Sequence, residues 1–267
     1  MGLKVTILGC GSSGGVPRAG QGWGACDPTE PKNRRRRCSI LVEREGPAGT
    51  TSVLVDTSPD LREQLLTTGT RRLDGILLTH AHADHVHGID DVRPLVIQAR
   101  KRIAIYMEAV TAATVTRRFD YIFETPPGSQ YPPLLDAGTL TPGIVRSING
   151  PGGDVEAVPF LLDHGDCQAL GFRFAGIAYT PDVVGIPDEA VPWLANLDVW
   201  IIDALRYTRH PSHFSLQEAL DWIGRMKPRR AILTNLHTDL DFNRLKAELP
   251  EGVEPAYDGM QIDHVIN

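Results

Sequence analysis

Short apolar runs recur along the chain, and most stop abruptly at a polar residue. Residues 3–8, 38–42, 52–55, 75–78, 160–162, 200–203 and 231–236 each have the length and largely apolar character of a buried strand, and 178–181 is a further strand-like stretch. Residues 216–226 instead space their apolar positions for an amphipathic helix. The residues at the strand tips carry the interest. The run 75–78 leads into Thr79-His80-Ala81-His82-Ala83-Asp84-His85, 160–162 into Asp163-His164, 178–181 into Asp182, and 231–236 into His237. His213 lies in His210-Pro211-Ser212-His213, between the strand at 200–203 and the helix.

Three imidazoles and a carboxylate within six positions make a metal-ligand cluster. His80 and His82, two apart on extended backbone, point the same way, while Asp84 and His85 follow in a turn and face a second ion nearby. Histidine is scarce elsewhere, with 9 in 267 residues, so the cluster is not a compositional accident. Without a cation, so many ligand-type groups together would be an electrostatic liability. A mixed His and Asp shell suits zinc, manganese or iron and does not choose among them. Two such ions about 3.5 to 4 Å apart can share a bridging hydroxide that attacks phosphorus in line.

The pattern His80-x-His82-x-Asp84-His85 resembles the defining motif of the metallo-β-lactamase fold hydrolases at every specified position. The opening at residues 8–17, Val55-Asp56-Thr57-Ser58-Pro59-Asp60 and His210-Pro211-Ser212-His213 are similar to its phosphodiesterase branch, which includes the phosphoribosyl cyclic phosphate phosphodiesterases. The resemblance implies a four-layer αββα sandwich with two divalent ions at one edge of the facing sheets. It implies that His80, His82 and His164 hold one ion, that Asp84, His85 and His237 hold the other, and that Asp182 bridges them. Asp84 thus counts among the catalytic residues as well as the ligands. His213 becomes the expected general acid for the leaving alkoxide, with His210 as its competitor. Asp56 resembles a carboxylate that orients the metal site without binding metal.

Composition narrows the partners. The length of 267 residues with no linker-like stretch predicts one hydrolase domain over 1–267. No apolar run approaches the roughly 20 residues that span a bilayer, and the N-terminus lacks a secretory h-region, so a cytoplasmic protein with no membrane partner is expected. Cysteines at 10, 26, 38 and 167 have no paired spacing and are expected to be reduced. Relatives in the branch can carry a structural zinc on a cysteine cluster after a Trp-Gly. Here Trp23-Gly24-Ala25-Cys26 retains one cysteine, so that zinc is expected to be absent. The net charge of −6 speaks against broad nucleic-acid binding. The run Lys32 to Arg37 is a local exception, read first as a solvated basic loop and second as a phosphate-attracting patch. Residues 125–153, rich in proline and glycine, are expected to form a long loop over the site. A homodimer is compatible with all of this.

The sequence therefore predicts a dinuclear phosphodiesterase acting on a small phosphate ester, cyclic esters included. A tRNA 3′-processing type nuclease shares the motif but calls for a basic footprint. A thioester or lactone hydrolase has less need of His213, and a scaffold would have no need of intact ligands. Gly9-Cys10-Gly11-Ser12-Ser13-Gly14 fits a dinucleotide fingerprint only in form, because loop residues rather than a helix follow it.

Overall fold

The computed structural model describes residues 2–265. Strands β1 (Gly2–Gly9), β2 (Ser39–Gly46), β3 (Gly49–Val55), β4 (Gly75–Leu77), β5 (Ile103–Met107) and β6 (Leu135–Thr139) lie side by side in chain order. The first three are antiparallel, and β3 to β6 are parallel. A second sheet repeats this plan with β7 (Arg146–Ile148), β8 (Val155–His164), β9 (Cys167–Phe174), β10 (Ile177–Thr180), β11 (Val199–Asp203), β12 (Arg230–Thr234) and β13 (Val253–Pro255). Here β7 to β10 are antiparallel and β10 to β13 parallel. Finally β14 (Gln261–Val265) returns to the first sheet beside β1.

The continuous apolar runs are explained by burial on both faces. In β3, Val53 and Val55 face the other sheet while Leu54 faces outward to helices; in β11, Val199 and Ile201 face inward while Trp200 and Ile202 face outward. One core, including Val5, Val42, Leu77, Phe172 and Ile201, fills the space between the sheets. The outer face of the first sheet is covered by α1 (Leu61–Thr68), α2 (Ala83–Val86), α3 (Arg93–Ala99), α4 (Ala109–Arg118) and α5 (Asp120–Phe123). That of the second is covered by α6 (Leu216–Met226) and α7 (Phe242–Glu248). This is the four-layer αββα sandwich. The predicted helix at 216–226 starts at a complete capping box, in which Ser215 and Glu218 satisfy each other's backbone N–H groups. No helix among the described residues is long and apolar enough to cross a membrane.

Strands β8, β10, β11 and β12 run in one direction, so their C-terminal tips, with His164, Asp182, Asp203 and His237, lie along one edge. The tips of β3 and β4 deliver Asp56 and residues 79–85 to the same place, where the Leu170 N–H bonds the Thr79 carbonyl across the sheets at 2.9 Å.

Two expectations change. Residues 125–153 do not form one loop over the site: they include β6 and β7, which close an edge of each sheet, and Pro126, Tyr131 and Pro132 pack near Arg93 and Tyr121. Proline and glycine between short edge strands hid those strands from a periodicity argument. The basic run is not a uniform patch either. Arg36 pairs with Asp258 at 3.2 Å and Arg37 with Asp60 at 2.9 Å, while Arg34 stacks on Trp23. Arg35 is buried, and its guanidinium reaches Cys26 Sγ (3.9 Å), Asn33 Oδ1 (3.2 Å) and the carbonyls of His237 (3.2 Å) and Leu240 (2.7 Å). It ties the loop around Cys26 to the segment that carries His237.

Removing Arg35 leaves the buried Leu240 carbonyl without a donor, at about 1–3 kcal/mol, while the His237 carbonyl keeps the Leu240 N–H at 3.2 Å. Arg35→Met should therefore cost about 1 to 3 kcal/mol in urea unfolding, whereas exposed Arg34→Met should stay within about 0.5 kcal/mol of wild type. Equal effects of the two substitutions would contradict the tethering role of Arg35.

Candidate metal centre

The tips bring six ligand-type side chains into contact. Donor atoms of His80, His82 and His164 lie within 4.8 Å of one another, as do those of His80, His85 and Asp182, and those of His164, Asp182 and His213. Asp182 is common to two of these groups. Its carboxylate is 3.2 Å from His85 Nε2, 3.4 Å from His164 Nε2, 3.8 Å from His80 Nε2 and 3.9 Å from His213 Nε2. Asp84 adds a carboxylate oxygen 3.6 Å from His85 Nε2, on the first turn of α2.

A second set of bonds fixes the rings from behind. His85 Nδ1 meets Asp56 Oδ2 at 2.7 Å, and Asp56 also accepts from the Thr79 hydroxyl and backbone N–H, each at 2.8 Å. His164 Nδ1 donates to the Ser212 carbonyl at 2.7 Å. His213 Nδ1 meets Asp203 Oδ2 at 2.8 Å, and His237 Nδ1 meets Asp239 Oδ1 at 3.0 Å. His80 Nδ1 lies 3.0 Å from the Thr79 hydroxyl. With Nδ1 engaged outward, each ring turns Nε2 inward, as a metal-binding histidine does. His80 Nε2 is buried with no hydrogen-bond partner, a lone pair for which a cation is the fitting occupant.

Charge follows the same plan. Burial holds His80 well below the usual imidazole range, and His85 beside it lowers it further; burial also lowers His164, so both are neutral donors. For His85 burial opposes the charge, but the carboxylates of Asp182, Asp56 and Asp84 dominate and raise it. Burial works against the charged form of His213 too, yet Asp203 and then Asp182 lift it to about 9.

Every residue singled out from the sequence lies at this edge, in different relations to it. His80, His82, His85, His164 and Asp182 form the centre, with Asp84 alongside. Asp56 stands behind His85 and touches none of the inward-facing atoms. His213 reaches the centre. His210 stands outside it, with Nδ1 3.2 Å from the Ser212 hydroxyl and its ring 5.2 Å from that of His213. His237 is set apart from the donor groups, and its Nε2 accepts a hydrogen bond from Arg18 Nη1 at 2.6 Å. Sequence reasoning missed Asp203, Asp239 and Arg18. Asp203 ends a buried strand, which is the signal that found Asp182; Arg18 carries none beyond its place after the glycine-rich opening. The Cys167 thiol, which no spacing in the sequence connects to the cluster, has its Sγ 3.8 Å from His82 Nε2. A cleft of about 600 Å³ opens beside His80 and His82, walled by Val110, Thr111 and Thr114 of α4 and by Leu161 and Cys167.

A family model described as a beta-lactamase superfamily domain matches residues 51–235, which hold all these ligand candidates except His237. The crystal structure of a diphosphatase from the PhnP family superposes with a TM-score of 0.88 at 32% identity, covering 98% of this chain and 97% of that one. An octanoyltransferase of Porphyromonas gingivalis is 32% identical over 264 residues, 97% of this chain but 51% of that protein. A ribonuclease Z of Bradyrhizobium sp. is 31% identical over 153 residues, 55% of this chain and 47% of its own length. This chain thus spans about half the length of these two curated relatives. With its two facing sheets, its strand-tip His and Asp residues and the family match over most of its length, the chain belongs to the beta-lactamase superfamily, as a metallo-β-lactamase fold hydrolase close to the PhnP family.

Proposed function

We propose that the protein is a phosphodiesterase that hydrolyses a small phosphate ester, cyclic diesters included, with two divalent ions held at the strand tips. His80, His82 and His164 would hold one ion, Asp84, His85 and His237 the other, and Asp182 both; zinc, manganese and iron all suit this donor set. Bound there, the ions would supply an activated water and neutralise charge on the phosphoryl oxygens.

The observation that carries the reading is His213. Its Nε2 faces the same Asp182 oxygen as His80 and His164, while Asp203 fixes its Nδ1 proton. That leaves an Nε2–H directed into the centre, able to protonate a departing oxygen. Such an acid serves an alkoxide leaving group, which is costly to expel as an anion. Asp203 is buried and acts through the ring, fixing its tautomer. The apolar wall of the neighbouring cleft, with Leu161 and Val110, suits the organic part of a small ester. Attack at a diphosphate is the second reading, favoured by the resemblance to the PhnP-family diphosphatase at 32% identity. The similarity to ribonuclease Z keeps RNA among the candidates, but the net charge of −6 and the pairing of Arg36 and Arg37 with carboxylates speak against tight binding of a polyanion at the Lys32 to Arg37 run.

A panel of cyclic and open phosphodiesters, diphosphates, precursor tRNA, thioesters and lactones tests the reading on metal-loaded protein. Turnover is expected on small phosphoryl substrates, with shallow dependence of kcat/KM on salt. Steep salt dependence together with tight precursor-tRNA binding would replace it with the nuclease.

His213→Ala should keep its metal and lose about 10²- to 10⁴-fold in rate on alkyl esters. The loss should shrink on p-nitrophenyl esters, whose leaving group is stable as an anion. Equal losses on both would leave His213 an orienting residue rather than the acid.

A further inference from the structure

We propose that Arg18 recognises a second phosphoryl group of the substrate, next to the one being hydrolysed. The proposal rests on the reading of the site given above and adds to it the class of small ester or anhydride selected.

Four observations lead there. The Arg18 guanidinium hydrogen-bonds Nε2 of His237, at the tip of β12, at 2.6 Å. Room for it is made by Gly14: a Cβ there would come within 2.3 Å of Arg18 Nε and 3.0 Å of Cζ, so any other residue at 14 would push the guanidinium away. The backbone of Arg18 is held in a tight turn, its N–H bonding the Gly22 carbonyl and its carbonyl accepting from the Gly22 N–H, each at 2.8 Å. Finally, Arg18 has no carboxylate partner among the described residues, whereas Arg36 and Arg37 nearby are both paired and Arg35 is engaged by two carbonyls and Asn33.

A neutral imidazole is a poor final partner for this group. Nε2 of His237 has one lone pair, and its Nδ1 is engaged with Asp239. An ion on His237 takes that lone pair, so the Arg18 bond cannot persist in the metal-loaded protein. What remains is an arginine with a seated backbone, a cleared slot and no acceptor, at the rim of the centre. Planar guanidinium forks bind phosphoryl oxygens in pairs, and more strongly than they bind neutral acceptors. A simple diester held at the ions would leave this guanidinium without a phosphoryl partner, whereas a second phosphoryl group supplies one. His213 lies against Asp182 and Arg18 against His237. The leaving oxygen and the recognised phosphoryl group therefore have separate partners.

The test is calorimetric binding of inorganic phosphate and of methylenediphosphonate, a non-hydrolysable two-phosphoryl probe, to metal-loaded wild type, Arg18→Ala and Arg18→Lys. Metal content is measured on the recovered protein, and circular dichroism checks the fold. The expected result is that the preference for diphosphonate over phosphate falls about 10- to 100-fold in Arg18→Ala and partly returns in Arg18→Lys, with two ions retained throughout. A companion Gly14→Ala variant, with Arg18 intact but displaced, should lose the preference as well. Loss of metal from Arg18→Ala, an unchanged preference, or equal weakening of both probes would each overturn the assignment. If wild type binds both probes and Arg18→Ala keeps the wild-type preference, only the role of Arg18 fails. If wild type binds neither, the phosphoryl reading of the site fails with it.

Discussion

An imidazole offers a lone pair on one nitrogen when its proton is held on the other, and this constraint organises the site. At His85, His164, His213 and His237 the outward nitrogen meets Asp56, the Ser212 carbonyl, Asp203 or Asp239, at 2.7 to 3.0 Å. Each inward nitrogen is thereby aimed, and the orientation does not await a metal. Asp56 illustrates the cost. Burial raises its pKa, offset by His85 and the Thr79 N–H, so the protein spends a buried carboxylate to hold one ring. The fold supports such an arrangement because strand tips are rigid and lie side by side at a common edge.

Much of this was legible in the chain. Strands buried on both faces read as unbroken apolar runs, so a polar residue at the end of one marks the place where the strand leaves the core. His80, His164, Asp182 and His237 were found that way, and each lies at the edge where β4, β8, β10 or β12 ends. The helix at 216–226 was legible from periodicity alone. The partners behind the rings were harder to foresee. Asp203 and His213 are only ten residues apart, but that they meet depends on how the loop between them folds back. Arg18 and His237 are 219 positions apart, and no local pattern connects them. The proline-rich stretch misled because two short edge strands were concealed between turn residues.

The basic run shows how a sequence cluster can dissolve in three dimensions. Alternation along an irregular strand-like segment sends Arg35 into the interior and Arg34 to solvent, and it gives Arg36 and Arg37 separate carboxylates. Arg18, from a different loop, meets His237 rather than a carboxylate. On the proposed reading, attraction for a phosphoryl substrate would come from the bound ions and one arginine rather than from a patch, which would suit a small ligand better than a nucleic acid.

The central claim is that the strand tips form one preorganised centre for two ions, shared through Asp182. Crystals grown with zinc or manganese, with anomalous diffraction recorded at the absorption edge of the metal, test it directly. The account predicts two peaks about 3.5 to 4 Å apart, one against His80, His82 and His164 and the other against Asp84, His85 and His237, with Asp182 touching both. A single peak, or a second ion that leaves His237 bonded to Arg18, would contradict it.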